Sequence, residues 1–390
     1  MTNAFALAHI PSLHFGAGKI SVLPSVVKAF GKKVLLITGA HSFTSSPYST
    51  RMLEQLQSAG YILRQHAIGT EPTPAMIDDA VNLFADYIPN VVVAIGGGSV
   101  LDAGKAIAAM LPLREPVKDY LEGVGTKNHP GVKIPFIAIP TTAGTGSEAT
   151  KNAVLSETGI SGYKKSLRHA NFVPDAAIID PQLTLSCSPA VTAASGMDAF
   201  TQLLESYLST AANPITDALA YEGLKQVAGS LPQVYRDGSN LAARTAMALA
   251  SYLSGITLAN AGLGLVHGFA SSVGGYFTIP HGVICSSLMA PANTLTVQKL
   301  RATHQNPEAL AKYTLVGKLF TTTPDKPDEY YIDALLSLIE QWTYELNIPR
   351  LSHGGVTTTD LEKIVLASDN KNNPIALDQD EMVRVLEMAL

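Results

Sequence analysis

From Thr245 to Gln298 the chain carries no Asp, Glu, Lys or Arg. Within that run His267 and His281 are the only imidazoles and Cys285 the only thiol. Small residues recur through it, among them Ala246, Ala248, Gly255, Gly264, Gly268, Gly274 and Gly275. An uncharged run of this length is either a membrane span or the buried heart of a domain, since about 20 apolar residues suffice to cross a bilayer. Gly, Ser, Thr, Asn and His interrupt it every few residues, and no aromatic belt or Lys/Arg cluster brackets it. Closely packed buried helices are therefore expected, with no membrane partner. Two imidazoles in such a core cost desolvation unless something binds them. Hydrogen bonds or a metal ion would both serve.

The chain has 390 residues, room for two domains. Hydrophobic residues make up 46% and charged ones 15%, enough for a large core. The net charge is −5 and no block of Lys or Arg stands out, which argues against nucleic acid as a partner. Cys187 and Cys285 make no disulfide framework and fit a reducing cytoplasm. The first residues show no basic segment followed by an apolar run, so no signal peptide is expected.

The first half alternates β-rich runs with helical patterns, the signature of a parallel sheet. Strands are expected over Lys33–Thr38, Tyr61–Ala67, Val91–Ile95 and Pro135–Ile139, and helices over Ile20–Phe30, Pro47–Ala59, Ala75–Ala85 and Val100–Met110. Two of the strands run into loops rich in Gly, Ser and Thr: Gly96-Gly97-Gly98-Ser99 and Thr141-Thr142-Ala143-Gly144-Thr145-Gly146-Ser147. In a doubly wound sheet, ligands sit beyond the carboxyl ends of the strands. Glycines there let the backbone approach a ligand, and the following helix offers free N–H groups to a phosphate. Asp102, three residues after Ser99, also fits a capping box. The triple glycine does not spell GxGxxG, so the standard dinucleotide fingerprint is absent.

Past Ser186 the strand-like runs stop. Helical patterns follow over Ala190–Ser209, Pro214–Gly229, Asn240–Ala259, Gly262–Val273, His281–Ala290, Pro307–Phe320, Tyr330–Leu346, Thr359–Ala367 and Gln379–Leu390. The expected organisation is an α/β dinucleotide-binding domain over residues 1–186 and an all-α domain over residues 187–390.

Asp198 and Gln202 stand four apart in one of these patterns, on one helical face. Met197, Ala199, Phe200 and Leu203 around them are apolar, so Asp198 is expected to be buried and to need a cation or several donors. With His267 and His281 they make a candidate divalent-metal site, of a type that suits zinc or ferrous iron. On spacing alone a hydrogen-bonded core is favoured over a metal. Glu205 lies two turns beyond Asp198, ~10 Å along the axis, too far to share a ligand shell easily, and is expected either to back the site or to be a structural residue only.

At these residues the chain resembles the iron-containing (group III) alcohol dehydrogenase family, over nearly its whole length. The matching segments are FGAGK at Phe15–Lys19, AIGGGSVLDAGKAIA at Ala94–Ala108, IPTTAGTGSEAT at Ile139–Thr150, PDAAIIDPQL at Pro174–Leu183, GMDAF at Gly196–Phe200, NAGLGLVHG at Asn260–Gly268 and GGYFTIPHGV at Gly274–Val283. The resemblance implies a dehydroquinate synthase-like fold, with a nucleotide-binding α/β domain, a helical domain and an active site in the cleft between them. It implies that Gly97, Gly98, Ser99 and Asp102 hold the cofactor pyrophosphate. Thr141, Thr142 and Ser147 would line the ribose and nicotinamide side, with Lys164 close by. Asp198, His267 and His281 would hold the metal and act in catalysis.

Two positions depart from the family pattern: Gln202 stands where a third metal-binding His is usual, and Ser271 where another His follows the first. A related glycerol dehydrogenase branch holds zinc with one Asp and two His. After Thr38 many NAD-using members carry an Asp for the ribose diol. Here Gly39-Ala40-His41-Ser42 follows, which favours NADP(H), with Ser42 or His41 donating to its 2′-phosphate and NAD(H) as the alternative. The implied reaction is reversible hydride transfer between a small alcohol or aldehyde and nicotinamide, in a homodimer or larger homo-oligomer. Rival readings are a metal-free maleylacetate reductase-like enzyme, a lyase resembling 3-dehydroquinate synthase, and a non-enzymatic nucleotide-binding protein. Tyr207, Leu263, Phe269 and Phe277 are candidates for shaping the pocket.

Overall fold

A computed structural model gives the fold and describes residues 4–40, 43 and 46–390. Its first part consists of β1 Ser12–Phe15, α1 Leu23–Lys28, β2 Lys33–Gly39, α2 Pro47–Ser58, β3 Ile62–Ile68, α3 Pro74–Leu83, β4 Val91–Gly96, α4 Gly98–Met110, β5 Phe136–Pro140, β6 Asn152–Glu157, β7 Tyr163–Arg168 and β8 Ala176–Ile179. From there on it is helical: α5 Pro189–Leu208, α6 Pro214–Arg236, α7 Leu241–Ala261, α8 Leu265–Tyr276, α9 His281–Thr303, α10 Pro307–Leu319, α11 Asp328–Glu345, α12 Leu361–Leu366 and α13 Gln379–Ala389. This is the expected α/β unit followed by an all-α unit.

Six strands form one parallel sheet in the order β1-β8-β5-β4-β2-β3. Successive side chains of a strand point to opposite faces, and both faces here are covered. Leu35, Ile37, Val92, Ala94, Phe136 and Ala138 pack towards α3 and α4. Val34, Leu36, Val91, Val93, Ile137 and Ile139 pack with Leu23, Val27, Met52 and Leu56 of α1 and α2. Burial on both sides is why these strands read as unbroken apolar runs. Gly39 pairs with Ile68 and Gly96 with Pro140, so both glycine-bearing loops leave the same edge of the sheet.

Four strands went unanticipated. β1 and β8 are only four residues long, and β1 is a half-exposed edge strand with no continuous apolar run. The antiparallel hairpin β6–β7 carries mixed polar residues because it is wedged between the two units, β6 on α4 and β7 on α8. Two helices run further than expected, α6 through Pro232 and α9 through Pro291. A proline inside a helix costs about 3 kcal/mol. Beyond Pro291, Leu295, Val297 and Leu300 bury fully and offset that cost. The helix expected from Gly262 begins only at Leu265, because Gly262 takes a positive φ of 71° and ends α7.

The uncharged stretch forms most of α7, all of α8 and most of α9. Among the described residues no single helix is long and apolar enough to cross a membrane, and α7 and α8 are bent 98° to one another. The two units meet where the loop after β5 lies on α7. A Cβ on Gly255 would fall 2.2 Å from the Gly146 carbonyl oxygen, and one on Gly146 only 2.5 Å from Gly255 backbone atoms. Backbone rests on backbone there, and Gly146 also takes a φ of +61°.

Glu148, in the same loop, is 2% exposed. Burial pushes its carboxyl up to about 7, against the pull of its own backbone amide and of Lys105. A carboxyl raised in the folded state destabilises the fold as pH climbs through that value, and below its ordinary 4.5 it costs nothing. Glu148→Gln mimics the protonated form. It is expected to match the parent in acid and to be up to roughly 3 kcal/mol more stable near about pH 8. Thermal unfolding across that range checks this, and a gap that does not widen with pH would contradict it.

Candidate active site

Ser188 caps α5 by accepting from the Val191 amide, with Pro189 in the first turn. From that start Asp198, Gln202 and Glu205 fall on one buried face. His267 lies in the first turn of α8, and His281 opens α9 directly after Pro280. One turn further on, Cys285 shares the His281 face. The three helices converge so that ligand atoms of Asp198, His267, His281 and Cys285 all lie within 4.8 Å of one another.

Each group is held. Glu205 Oε1 accepts from the Val266 amide at 2.7 Å, at the start of α8. Its Oε2 lies 2.6 Å from His267 Nδ1. A carboxylate only accepts, so His267 carries its proton on Nδ1 and turns Nε2 into the cluster. Nε2 is 3.4 Å from Asp198 Oδ1, and His281 Nε2 is 3.8 Å from the same oxygen. Gln202 Nε2 donates to Asp198 Oδ2 at 3.1 Å, and its Oε1 accepts from Ser254. Asp198 is 1% exposed, yet its Oδ1 has no hydrogen-bond partner among the described residues, and neither has His281 Nδ1.

The electrostatics follow the geometry. Burial pushes the Asp198 carboxyl up, but His281 and His267 outweigh it and hold the group below its usual range. Burial opposes protonation of His267, yet Cys285, Glu205 and Asp198 raise its pKa well above the ordinary value. Burial takes His281 down to about 4 and the Cys285 thiol up to about 11. Two imidazoles and an unpartnered buried carboxylate oxygen around one point fit a divalent cation.

The cluster borders a cavity of about 580 Å³ lined by Gly98, Ser99, Asp102, Ser147, Lys164, Gln202, His267, Ser271 and His281. A second cavity, of about 360 Å³, includes Gly97, Thr141 and Thr142. The two therefore flank the Gly97–Gly98 start of α4. Gly39 ends β2 on the same sheet edge, while His41 and Ser42 lie outside the described residues. Val100 and Leu101 turn back on the Gly97 carbonyl, leaving Gly98 and Ser99 to present first-turn amides. A Cβ on Gly98 would strike Thr145 at 2.7 Å.

Some expected roles are corrected. Asp102 makes no capping box with Ser99, since α4 is capped by Gly97 without a side-chain bond. Asp102 instead accepts from the Ser147 hydroxyl and from the Val154 amide at 3.1 Å, tying the loop and β6 to α4. Lys164 pairs with Glu71 at 2.6 Å on the cavity wall. Leu263 lines the cavity, but Tyr207 and Phe269 are buried in helical cores and Phe277 packs beside one. Lys105 was not singled out. It is 1% exposed and donates to Ser147 O at 2.9 Å and Asn152 O at 2.6 Å, with the Ser147 and Thr150 hydroxyls also in reach. Its signal was an α4 sequence apolar on every side. In the sequence Cys285 stands out only as the thiol of the uncharged stretch, and its spacing of four from His281 is the signal that joins it to the site.

Comparisons with known proteins agree with this architecture. The family profile "Iron-containing alcohol dehydrogenase" matches residues 11–181, and "Fe-containing alcohol dehydrogenase family, C-terminal" matches residues 192–390. Alcohol dehydrogenase 4 of Saccharomyces cerevisiae is 33% identical over 391 residues, covering 97% of each chain. NAD-dependent methanol dehydrogenase of Bacillus methanolicus is 34% identical over 293 residues, covering 75% of this chain and 74% of its own. The crystal structure of a 1,3-propanediol oxidoreductase superposes with a TM-score of 0.88 at 30% identity, covering all of both chains. The chain belongs to the iron-containing alcohol dehydrogenase family.

Proposed function

We propose that this alcohol dehydrogenase passes a hydride reversibly between a small primary or secondary alcohol and C4 of NADP(H), with Asp198, His267 and His281 as its metal-holding catalytic residues. The observation that carries the reading is the convergence of these three side chains beside a cavity whose other wall is the start of α4. A divalent metal would supply polarisation of the substrate oxygen, and the nicotinamide the hydride exchange.

The chain's own groups do the positioning. Glu205 fixes the His267 tautomer so that Nε2 faces the site. Gln202 orients Asp198 through Oδ2 and leaves Oδ1 free. The Gly98 and Ser99 amides face a pyrophosphate, and the glycines at 97 and 98 let it come close. Thr141, Thr142, Ser147 and Lys164 border the dinucleotide, with Asp102 bracing that wall. Leu258 and Leu263 give the substrate's carbon chain an apolar surface. We place the division between the units at Ser186, between the last strand and Pro189. No carboxylate follows Gly39 until Glu54, so the segment after β2 carries no anion of its own to repel a 2′-phosphate.

The metal-supplemented enzyme is expected to oxidise NADPH in the presence of small aldehydes. Its kcat/KM for NADPH should exceed that for NADH at least about tenfold, the ~1.4 kcal/mol of one added charge-assisted hydrogen bond. Absence of aldehyde-dependent turnover with either cofactor would sink the activity, and a preference for NADH would sink the cofactor choice.

A further inference from the structure

Cys285 takes no part in the reading above, yet it stands inside the cluster. We infer that Cys285 is a fourth protein ligand of the metal, so that the site is an Asp–His–His–Cys set suited to zinc rather than ferrous iron. This rests on the reading that Asp198, His267 and His281 hold a divalent metal.

Three observations support it. The first is distance. Cys285 Sγ lies 3.6 Å from Nε2 of His267 and 3.6 Å from Nε2 of His281. Around a tetrahedral zinc, with bonds of about 2.3 Å to sulfur and about 2.0–2.1 Å to nitrogen or oxygen, the S···N edges come to about 3.5 Å and the N···O edges to about 3.4 Å. The observed N···O separations are 3.4 and 3.8 Å. Four of the six ligand–ligand edges thus come close to tetrahedral values, and the other two are no longer than 4.8 Å.

The second is Gln202, at the position where the family pattern places an imidazole. The Asp198 carboxylate only accepts, so the amide must turn its NH₂ towards it, which sends Oε1 away to Ser254. Gln202 therefore offers the cluster no ligand atom in this arrangement, and Cys285 supplies one from a turn beyond His281 in α9. The third is the unpartnered Asp198 Oδ1, a buried acceptor that points to a cation independently of the thiol.

Thiolate with imidazole selects zinc over harder ions. Binding displaces the thiol proton to solvent, leaving the sulfur as an anionic ligand.

Cobalt(II) reports the sulfur directly. The purified enzyme is stripped with a chelator and reloaded with cobalt. The parent is expected to show visible cobalt bands together with a near-ultraviolet sulfur-to-cobalt charge-transfer band. Cys187→Ser leaves Cys285 as the only cysteine, and the band should persist unchanged. Cys285→Ser should keep the visible bands, lose the near-ultraviolet band and bind zinc at least about 100-fold more weakly, beyond the 10- to 100-fold typical of an outer-shell loss. Stoichiometric cobalt without a charge-transfer band, in the parent or in Cys187→Ser, overturns the inference and leaves the metal site standing. A band that survives Cys285→Ser overturns it too. A parent that takes up neither cobalt nor zinc overturns the metal reading itself.

Discussion

Asp198→Asn is expected to lower kcat/KM for aldehyde reduction by about 10³-fold or more while leaving dinucleotide binding nearly unchanged. The substitution keeps the side chain's shape but removes the one carboxylate that faces both imidazoles, at 3.4 and 3.8 Å. Metal polarisation of a substrate oxygen is worth several kcal/mol, and each ~1.4 kcal/mol is a factor of ten in rate. The dinucleotide is expected along Gly97–Ser99 and the loop after β5, with no contact assigned to the Asp198 carboxylate, so its dissociation constant should stay within about threefold of the parent's, less than ~0.7 kcal/mol. Elemental analysis of the purified variant should find it depleted of metal. Full metal occupancy with full activity would show that Asp198 is a core residue and nothing more.

The second large effect is on the fold. Gly255→Ala places a methyl group in the middle of α7, where alanine would ordinarily gain about 1 kcal/mol over glycine. Here that methyl would sit 2.2 Å from the Gly146 carbonyl oxygen. The obstacle is backbone, which cannot rotate aside, and Gly146 is itself held at positive φ. Overpacking of this kind costs about 1–3 kcal/mol and occasionally more, so once the propensity gain is subtracted a net loss of roughly 2 kcal/mol is expected from thermal or denaturant unfolding. The loop carrying Thr141–Ser147 must also shift, and a displacement of about 1 Å near a reacting centre can cost about 100-fold in rate. Gly229→Ala, in α6 with nothing within 4 Å of the added carbon, is the control. It should gain up to about 1 kcal/mol. Equal behaviour of the two variants would refute the contact.

Sequence reasoning reached the sheet because β2, β4 and β5 are buried on both faces and so are apolar throughout. It reached the loops because Gly96–Ser99 and Thr141–Ser147 break those runs abruptly. Asp198 was legible as a charge among apolar neighbours, and the histidines as the only titratable nitrogens in an uncharged stretch. What escaped depends on partners distant in sequence. Lys105 looks like a solvent-facing cation until Ser147 and Asn152 supply its acceptors. Glu205 is two turns from Asp198, and only the approach of α8 brings His267 onto it. The β6–β7 hairpin owes its place to α4 and α8 rather than to its own pattern. The end of β2 stays a matter of sequence, since Ser42 lies outside the described residues.

The grip of Glu205 has a consequence for the life of the protein. One carboxylate orders both an imidazole of the proposed metal site and the opening amide of α8. Metal occupancy and the order of that turn are thereby thermodynamically linked: an ion that holds His267 in place also protects the Val266 amide from hydrogen exchange. Chains that lose or never acquire the ion would open first at this turn, well below the free energy of global unfolding. Proteases act on the population of such open forms. Cellular abundance would then track metal supply more steeply than overall stability implies, with the empty enzyme cleared before it accumulates.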